Sequence, residues 1–367
     1  MGKDYSSAMD YPLGQRLREL PGPLLLTGHT GFKGTWMTFL LEHLNVPVVG
    51  YSLSAEKDSL FDRAERDSAI PEMIADIRDY TNLEKFIDQH RPSTIIHMAA
   101  QPLVLKSYEN PRETFDVNVM GTVNVLDIAF KKEFIKAIII VTTDKVYRND
   151  NSGRAFVESD PLEGKDPYSA SKVGTESVVA AWQQIAKVSG GPNVVSVRAG
   201  NVIGGGDFAR DRLIPDLVRG VISGKVVEIR NPESTRPWQH VLDPLIGYLR
   251  SLEEQIDSKS QTHLNFGPNG EKFTVETATN CVQEILRTVG KLEVNFTRNT
   301  RNYLESENLS LDSDLAAKTL NWSPLSSSEV ALQMTANWWV KVLKNESSIT
   351  KAIHEDLRYY LEGKIEK

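Results

Sequence analysis

The chain has 367 residues, 40% of them hydrophobic and 25% charged, enough to bury a core in one large or two modest domains. Its net charge of -7 comes without a basic stripe, which argues against nucleic acid as a partner. The single cysteine, Cys281, excludes an intrachain disulfide and a cysteine-built zinc site, and the seven histidines show no HExxH-type pairing, so no metal is expected.

Residues 1–22 read as a polar N-terminal tail, closed by Pro21-Gly22-Pro23 and lacking the apolar stretch of a secretory signal. Strand and helix signals then alternate. Leu24-Leu25-Leu26 is an apolar run entering a glycine-rich turn, and Trp36–Leu44 has helical periodicity. Val46–Tyr51 and Met73–Ile77 are further apolar runs, Thr81–Gln89 reads as a helix and Ser93–Met98 as a strand. Asn118–Phe130 is helical, Lys136–Val141 is a buried strand by its β-branched density, Tyr168–Lys187 is a helix and Val194–Arg198 a strand. Such alternation predicts an α/β chain with a Rossmann-type, doubly wound parallel sheet.

After about residue 200 the pattern breaks at Gly204-Gly205-Gly206 and at prolines 215, 232 and 237. Leu242–Glu254 and His263–Phe266 read as a helix and strand that return to the sheet, and tryptophan-bearing stretches at Asn321–Pro324 and Trp338–Trp339 close the chain. The expected division is a dinucleotide-binding domain over 23–200 with 241–267 returning to it. A smaller C-terminal α/β substrate domain takes 201–240 and 268–367. No stretch approaches the roughly 20 apolar residues that span a bilayer, so no membrane partner is expected and the setting reads as cytoplasmic.

Thr27-Gly28-His29-Thr30-Gly31-Phe32-Lys33-Gly34 follows the first strand and opens the first helix. Glycines at 28, 31 and 34 allow a tight turn, close approach to a pyrophosphate and close helix–strand packing, and the helix N-terminus offers free N–H groups. His29, Thr30, Phe32 and Lys33 fall within the same cofactor turn. The second strand ends Tyr51-Ser52-Leu53, without the acid that usually holds the ribose of NAD. Lys33 could receive a 2′-phosphate, so NAD and NADP both stay open. Asp76-Ile77 ends the third run and Ala99-Ala100-Gln101 the fourth, at strand ends where open α/β sheets bind ligands.

Tyr168 and Lys172 stand four apart, on one face of a predicted helix. An ammonium beside a phenol favours the phenolate, and such a tyrosine can take a proton from a sugar hydroxyl. The spacing alone is a weak signal. Its partner is Thr142-Thr143-Asp144-Lys145, a polar cluster directly after a buried strand, where α/β enzymes keep their chemistry.

Together these segments resemble the extended short-chain dehydrogenase/reductase superfamily, and within it the nucleotide-sugar 4,6-dehydratases, most specifically those acting on CDP-glucose. The resemblance runs from Leu24 to about Trp339. It rests on TGHTGFKG (27–34), HMAAQPLV (97–104), NVMGTVNVL (118–126), TTDKVY (142–147) and DPYSASK (166–172), then on RAGNVIGGGD (198–207), DRLIPD (211–216) and RPWQHVLDPL (236–245). The GxxGxxG spacing is that of the superfamily rather than of lactate-type dehydrogenases.

The resemblance implies NAD bound at residues 28–34, with Asn118, Thr142, Tyr168 and Lys172 also touching it, and no net change in the cofactor. It implies that Tyr168 deprotonates the sugar O4 and Thr143 holds that hydroxyl. Asp144 is the acid for the leaving C6 hydroxyl and Lys145 the base at C5, where related dehydratases carry Glu. A lysine acts as a base only where desolvation or a nearby charge draws its pKa down. Arg212 and Arg236 are candidates for the substrate diphosphate, since guanidinium forks match phosphate oxygens. Lys106, Asn201, Leu213, Gln239 and His240 are further substrate candidates, with a buried structural role equally open for the histidine. Glu307–Asp312 is expected to help cover the nucleotide base. At least a dimer is implied, a homodimer or homotetramer formed through helices near Asn118–Phe130 and Tyr168–Lys187. The competing readings are a nucleotide-sugar 4-epimerase, a dehydratase of another nucleotide sugar, and a non-enzymatic NAD-binding regulator.

Overall fold

The computed structural model describes residues 12–150, 152–257, 263–270, 273–299 and 309–362. Seven short segments form one sheet: β1 (Leu24–Thr27), β2 (Val48–Ser52), β3 (Glu72–Ile74), β4 (Thr94–His97), β5 (Ala137–Val141), β6 (Asn193–Ala199) and β7 (Leu264–Phe266). Their spatial order is β3-β2-β1-β4-β5-β6-β7, and every neighbouring pair is parallel. The doubly wound sheet expected from the sequence is therefore present. Its strand order reverses between β1 and β4, which puts a ligand crevice at the C-terminal ends of these strands. β5 is buried at all five positions, so its residues form an apolar run rather than an alternating pattern.

The longer helices are α1 (Phe32–His43), α2 (Tyr80–His90), α3 (Gly121–Phe130), α4 (Pro167–Ser189), α5 (Leu213–Ser223), α6 (Leu242–Asp257), α7 (Val275–Thr288), α8 (Ser328–Leu343) and α9 (Ile349–Glu362). α2, α3 and α4 cover one face of the sheet, where Phe86, Leu126 and Val179 pack on Leu25, Ile95 and Ile138. α1 and α6 cover the other, with Trp36, Leu40, Leu245 and Leu249 against Leu26, Ile96 and Ile139. That second core continues unbroken into Leu217 of α5, Val282 of α7, Trp339 of α8 and Ile353 of α9. Apart from β7, the strands beyond residue 200 are short and paired two by two: Val202–Ile203 with Gln239–His240, Val227–Arg230 with Phe296–Asn299, and Thr235–Arg236 with Phe273–Thr274.

The structure departs from the sequence expectations in four places. The stretch expected as a tail is packed from Leu13 onward: a turn of helix at Gln15–Arg18 buries Leu17, and the Arg16 amide donates to Glu253 Oε1 at 3.2 Å. The helix expected from Asn118 begins as a π-helical turn, Asp116–Met120. There Asn118 turns inward, its Nδ2 donating to Gln101 O and Ser171 Oγ while its Oδ1 accepts from the Gln101 amide. β3 is only Glu72–Ile74, and Asp76 beyond it pairs locally with Arg78 Nε and NH2. The tryptophan stretches do not close the chain, since α9 follows them. Among the described residues no helix is long and apolar enough to cross a membrane, and no group of three potential metal ligands occurs.

Gly205 shows how closely the two sides of the larger core meet. Its carbonyl accepts from Trp36 Nε1 at 3.1 Å, and an added Cβ would come within 1.9 Å of the Trp338 ring. Neither the backbone nor the indole can give way cheaply. Gly205→Ala should cost about 3 kcal/mol or more by overpacking, read as a lower denaturation midpoint with an unchanged m-value.

Candidate active site

The turn between β1 and α1 is built for close approach. Gly28 has φ +74°, and an added Cβ would lie 2.7 Å from the Ala99 amide nitrogen. At Gly34 a Cβ would come within 2.1 Å of the Gly28 carbonyl. These cradles fit a dinucleotide pyrophosphate at the start of a twelve-residue helix. Thr30 Oγ1 bonds Ser52 Oγ at 2.8 Å and the Leu53 carbonyl at 2.9 Å, which ties the turn to the end of β2. His29 is fully buried, with Nε2 2.6 Å from Glu72 Oε2, and burial pulls its pKa down against that pair. Ala99 sits directly under Gly28, and its own amide donates to Thr27 Oγ1. Ala100 follows it in the turn after β4.

Several expected cofactor contacts are engaged inside the protein. Gln101 gives its amide to Leu103 and Thr114. Tyr51 is buried, and its hydroxyl donates to the Asp76 carbonyl at 3.1 Å. Ile77 is core, packed against Gly121. Phe32 starts α1 and rests near Gly204.

Lys33 corrects the sequence reading most clearly. Its Nζ reaches Tyr248 on α6, at 3.5 Å from the hydroxyl, rather than the end of β2 where a 2′-phosphate would lie. Burial, then the like charges of Lys172 and Arg212, push its pKa down to about 7. Lys33 thus faces Lys172, Arg212 and Asp144.

Asp166 caps α4 by accepting from the Ser169 amide, and Pro167 fits the first turn, so Tyr168 and Lys172 are presented one turn apart. The Tyr168 amide is held by Ser107 Oγ at 3.1 Å. Burial raises the Tyr168 phenol to about 12, opposed by its hydrogen bond with Thr143. Burial also lowers Lys172 to about 8, against the pull of Glu176, and Lys172 Nζ donates to the Val141 carbonyl at 3.0 Å. The ammonium is therefore anchored at the end of β5, next to the turn at 142–145.

That turn is a single 3₁₀ loop, Asp144–Val146, capped by Thr143. The Thr143 hydroxyl donates to Asp144 Oδ1 at 3.0 Å, so one threonine links the tyrosine to the carboxyl. Lys145 Nζ bonds the same Oδ1 at 3.2 Å. Asp144 is completely buried, and among the described residues its Oδ2 has no hydrogen-bond partner. Such an oxygen carries a desolvation cost that a ligand hydroxyl would relieve. The Thr142 hydroxyl, by contrast, is committed to Glu176 at 2.6 Å.

Arg212 caps the start of α5 and pairs with Asp207 at 2.9 Å, and that carboxylate holds its pKa up. It lies within electrostatic reach of Tyr168 and Lys33, with Leu213 beside it. Arg236 is buried on its two-residue strand, and the Asn201 carbonyl accepts from the Gln239 amide. Lys106 is exposed on the short helix that anchors Tyr168. The Gln239 and His240 side chains are engaged elsewhere. Gln239 Nε2 is bound to the Phe266 carbonyl, and His240 is fully buried, stacked on Tyr360 and edge-on to Trp36. The histidine has the structural role. Within Glu307–Asp312, residues 307 and 308 lie outside the described residues, while Leu309 and Leu311 are buried against Val146, Tyr147 and Phe156.

Residues 25–335 match the GDP-mannose 4,6 dehydratase family. The chain belongs to that family. A CDP-glucose 4,6-dehydratase of Salmonella typhimurium is 40% identical over 310 residues, 82% of this chain and 86% of the relative. The fold of the family recurs in a dTDP-glucose 4,6-dehydratase from Bacillus anthracis in complex with NAD, at TM-score 0.72 and 22% identity over 88% of this chain and 98% of that one. It also recurs in a UDP-glucose 4-epimerase from Thermus thermophilus in complex with NAD, at TM-score 0.76 and 22% identity over 87% and 99%.

Sequence reasoning missed Glu176, Arg198, His97 and Tyr248. Glu176 carried one signal, its place a turn beyond Lys172. Buried Arg198 stood in a strand-end motif without a partner to define it. His97 is buried, bonded to Thr27 and held neutral by burial, its pKa about 3.

Proposed function

We propose that this chain is an NAD-dependent 4,6-dehydratase that converts CDP-glucose to CDP-4-keto-6-deoxyglucose and water. The observation that carries the reading is the Thr143-Asp144-Lys145 turn, with the free Asp144 Oδ2, joined through Thr143 to the Tyr168/Lys172 pair. An epimerase needs the tyrosine but no acid–base pair for loss of water, and the 40% identical relative supports CDP-glucose as the donor.

The turn of residues 28–34 would hold NAD, which would supply hydride acceptance and return. Tyr168 takes the proton from the sugar O4, and the Thr143 hydroxyl orients that oxygen. Lys172, anchored on the Val141 carbonyl, keeps a positive charge beside the phenol. The 4-ketone acidifies the C5 proton, which Lys145 removes while Asp144 Oδ2 gives a proton to the leaving C6 hydroxyl. Arg212 and Arg236 take the diphosphate, with Lys106, Asn201 and Leu213 lining the approach. Residues 201–240 and 268–367 form the wall of the sugar-nucleotide site. Exposed Phe115, Met120 and Ile185 support pairing with a second copy through the helices around 104–130 and α4.

The test is incubation of the purified protein with CDP-, dTDP-, GDP- and UDP-glucose and with GDP-mannose, scored by 4-keto product. Turnover of CDP-glucose above the others is expected; turnover of another donor alone would overturn the substrate assignment. In the same assay Lys145→Ala should slow C5 proton exchange about 10²-fold, and exchange at the wild-type rate would remove Lys145 as the base.

A further inference from the structure

Behind the catalytic groups lies a buried ion pair that the mechanism above does not use. Glu176 on α4 and Arg198 on β6 are 2% and 1% exposed. Arg198 donates from Nε and NH2 to the two carboxylate oxygens, each at 2.9 Å. Such a fork is the most specific carboxylate geometry that a side chain offers. The remaining contacts of the pair lead to both halves of the active site. Glu176 Oε1 accepts from the Thr142 hydroxyl at 2.6 Å, one residue before Thr143. Arg198 NH1 donates to the Tyr147 hydroxyl at 2.7 Å, two residues after Lys145. On α4, Glu176 stands one turn beyond Lys172 and two beyond Tyr168.

We infer that Glu176 and Arg198 form the positioning unit that sets the catalytic turn 143–145 against Tyr168 and Lys172, with the Glu176 carboxylate supplying the negative charge that Lys172 faces. This rests on the dehydratase reading and deepens it. The turn is gripped at both ends: Thr142 by the carboxylate and Tyr147 by the guanidinium. The helix bearing the tyrosine carries that same carboxylate. A shift between α4 and β5 would therefore have to break the fork or one of its two ties. Ser196 Oγ and His263 Nδ1 complete the shell around the carboxylate, at 2.7 and 3.2 Å from Oε2.

The charge has a second consequence. Lys172 is buried, and Lys33 from α1 is its cationic neighbour. His97 at the end of β4 also faces it and is neutral, and Tyr168 lies a turn away on its own helix. Glu176 is the group that opposes the loss of its proton, so Lys172 falls only to about 8. Burial alone would raise the carboxyl of Glu176, but Arg198 and His263 outweigh it and hold it ionised. Without that charge Lys172 would give up its proton at lower pH, and the phenol would lose the cation that assists it.

The experiment compares wild type with Glu176→Gln and with the double variant Glu176→Gln/Arg198→Met. The single change leaves a buried guanidinium uncompensated, which can prevent folding, whereas the double change removes both charges at similar volume. Each is assayed across pH with whichever nucleotide sugar the wild type converts, so wild-type turnover tests the function and the difference tests this inference. Expected for each folded variant is a kcat lower by at least about tenfold with KM within about twofold. The alkaline limb of kcat should also move down by about one pH unit. A folded double variant with wild-type kcat and an unmoved alkaline limb would overturn the proposal, as would equal losses in KM and kcat without any change in the pH profile.

Discussion

Tyr168→Phe is expected to lower turnover about 10³-fold while leaving sugar-nucleotide affinity nearly unchanged, a loss of about 4 kcal/mol of transition-state stabilisation. The ring keeps its place in the first turn of α4, because the Tyr168 amide, not its hydroxyl, is tied to Ser107. What disappears is the atom proposed to accept the O4 proton, together with its hydrogen bond to Thr143. The buried phenol, raised to about 12, does not ionise on its own near neutrality. The proposed mechanism assigns the assisting positive charge to Lys172. Since burial lowers Lys172 to about 8, wild-type kcat should fall as pH rises through that value, where the ammonium loses its proton. The residual rate of the Phe variant should lose that dependence. Steady-state kinetics over pH and a separate binding titration with CDP-glucose check both points, and a variant within about tenfold of wild type would remove Tyr168 as the proton acceptor.

The parts of this protein that were legible in the sequence are those where local chemistry and global position agree. Buried parallel strands write themselves as apolar runs, so β1, β4 and β5 were visible, and the glycine turn announced the helix after it. Tyr168, Lys172 and the 142–145 cluster were visible because both lie at an element boundary, where polar groups next to apolar runs stand out. Side-chain direction was not legible. Lys33 sits in the cofactor turn by sequence, yet its four-carbon stem carries the charge across to Tyr248. His240 stands in a specific motif, but tertiary packing from α9, far along the chain, encloses it. The π-helical turn at Asn118 was invisible for the same reason, since its cause is a set of hydrogen bonds to Gln101 and Ser171. Glu176 and Arg198 looked like an ordinary helix charge and an ordinary strand end, because only the fold brings them within 2.9 Å.

Asp144→Asn should separate the two halves of the reaction. The amide has the shape of the carboxyl, and its oxygen can still accept from Thr143 and Lys145, as Oδ1 does now at 3.0 and 3.2 Å. The turn should therefore keep its form, and Tyr168 its link to Thr143. The change falls on the atom without a partner: where Oδ2 could deliver a proton to the C6 oxygen, an amide nitrogen cannot act as that acid. Loss of a positioned acid costs about 10² to 10⁴ in rate, so water loss should fall by at least about 10²-fold. In the proposed mechanism, removal of the O4 and C5 protons falls to Tyr168 and Lys145, and both remain. Run in deuterated water with CDP-glucose, the variant should return substrate labelled at C5 faster than it releases 4-keto-6-deoxy product. Wild type should partition the other way, toward product. Loss of exchange and product in equal measure would mean that Asp144 acts before C5, through the placement of Thr143 and Lys145, and would remove it as the acid of the elimination.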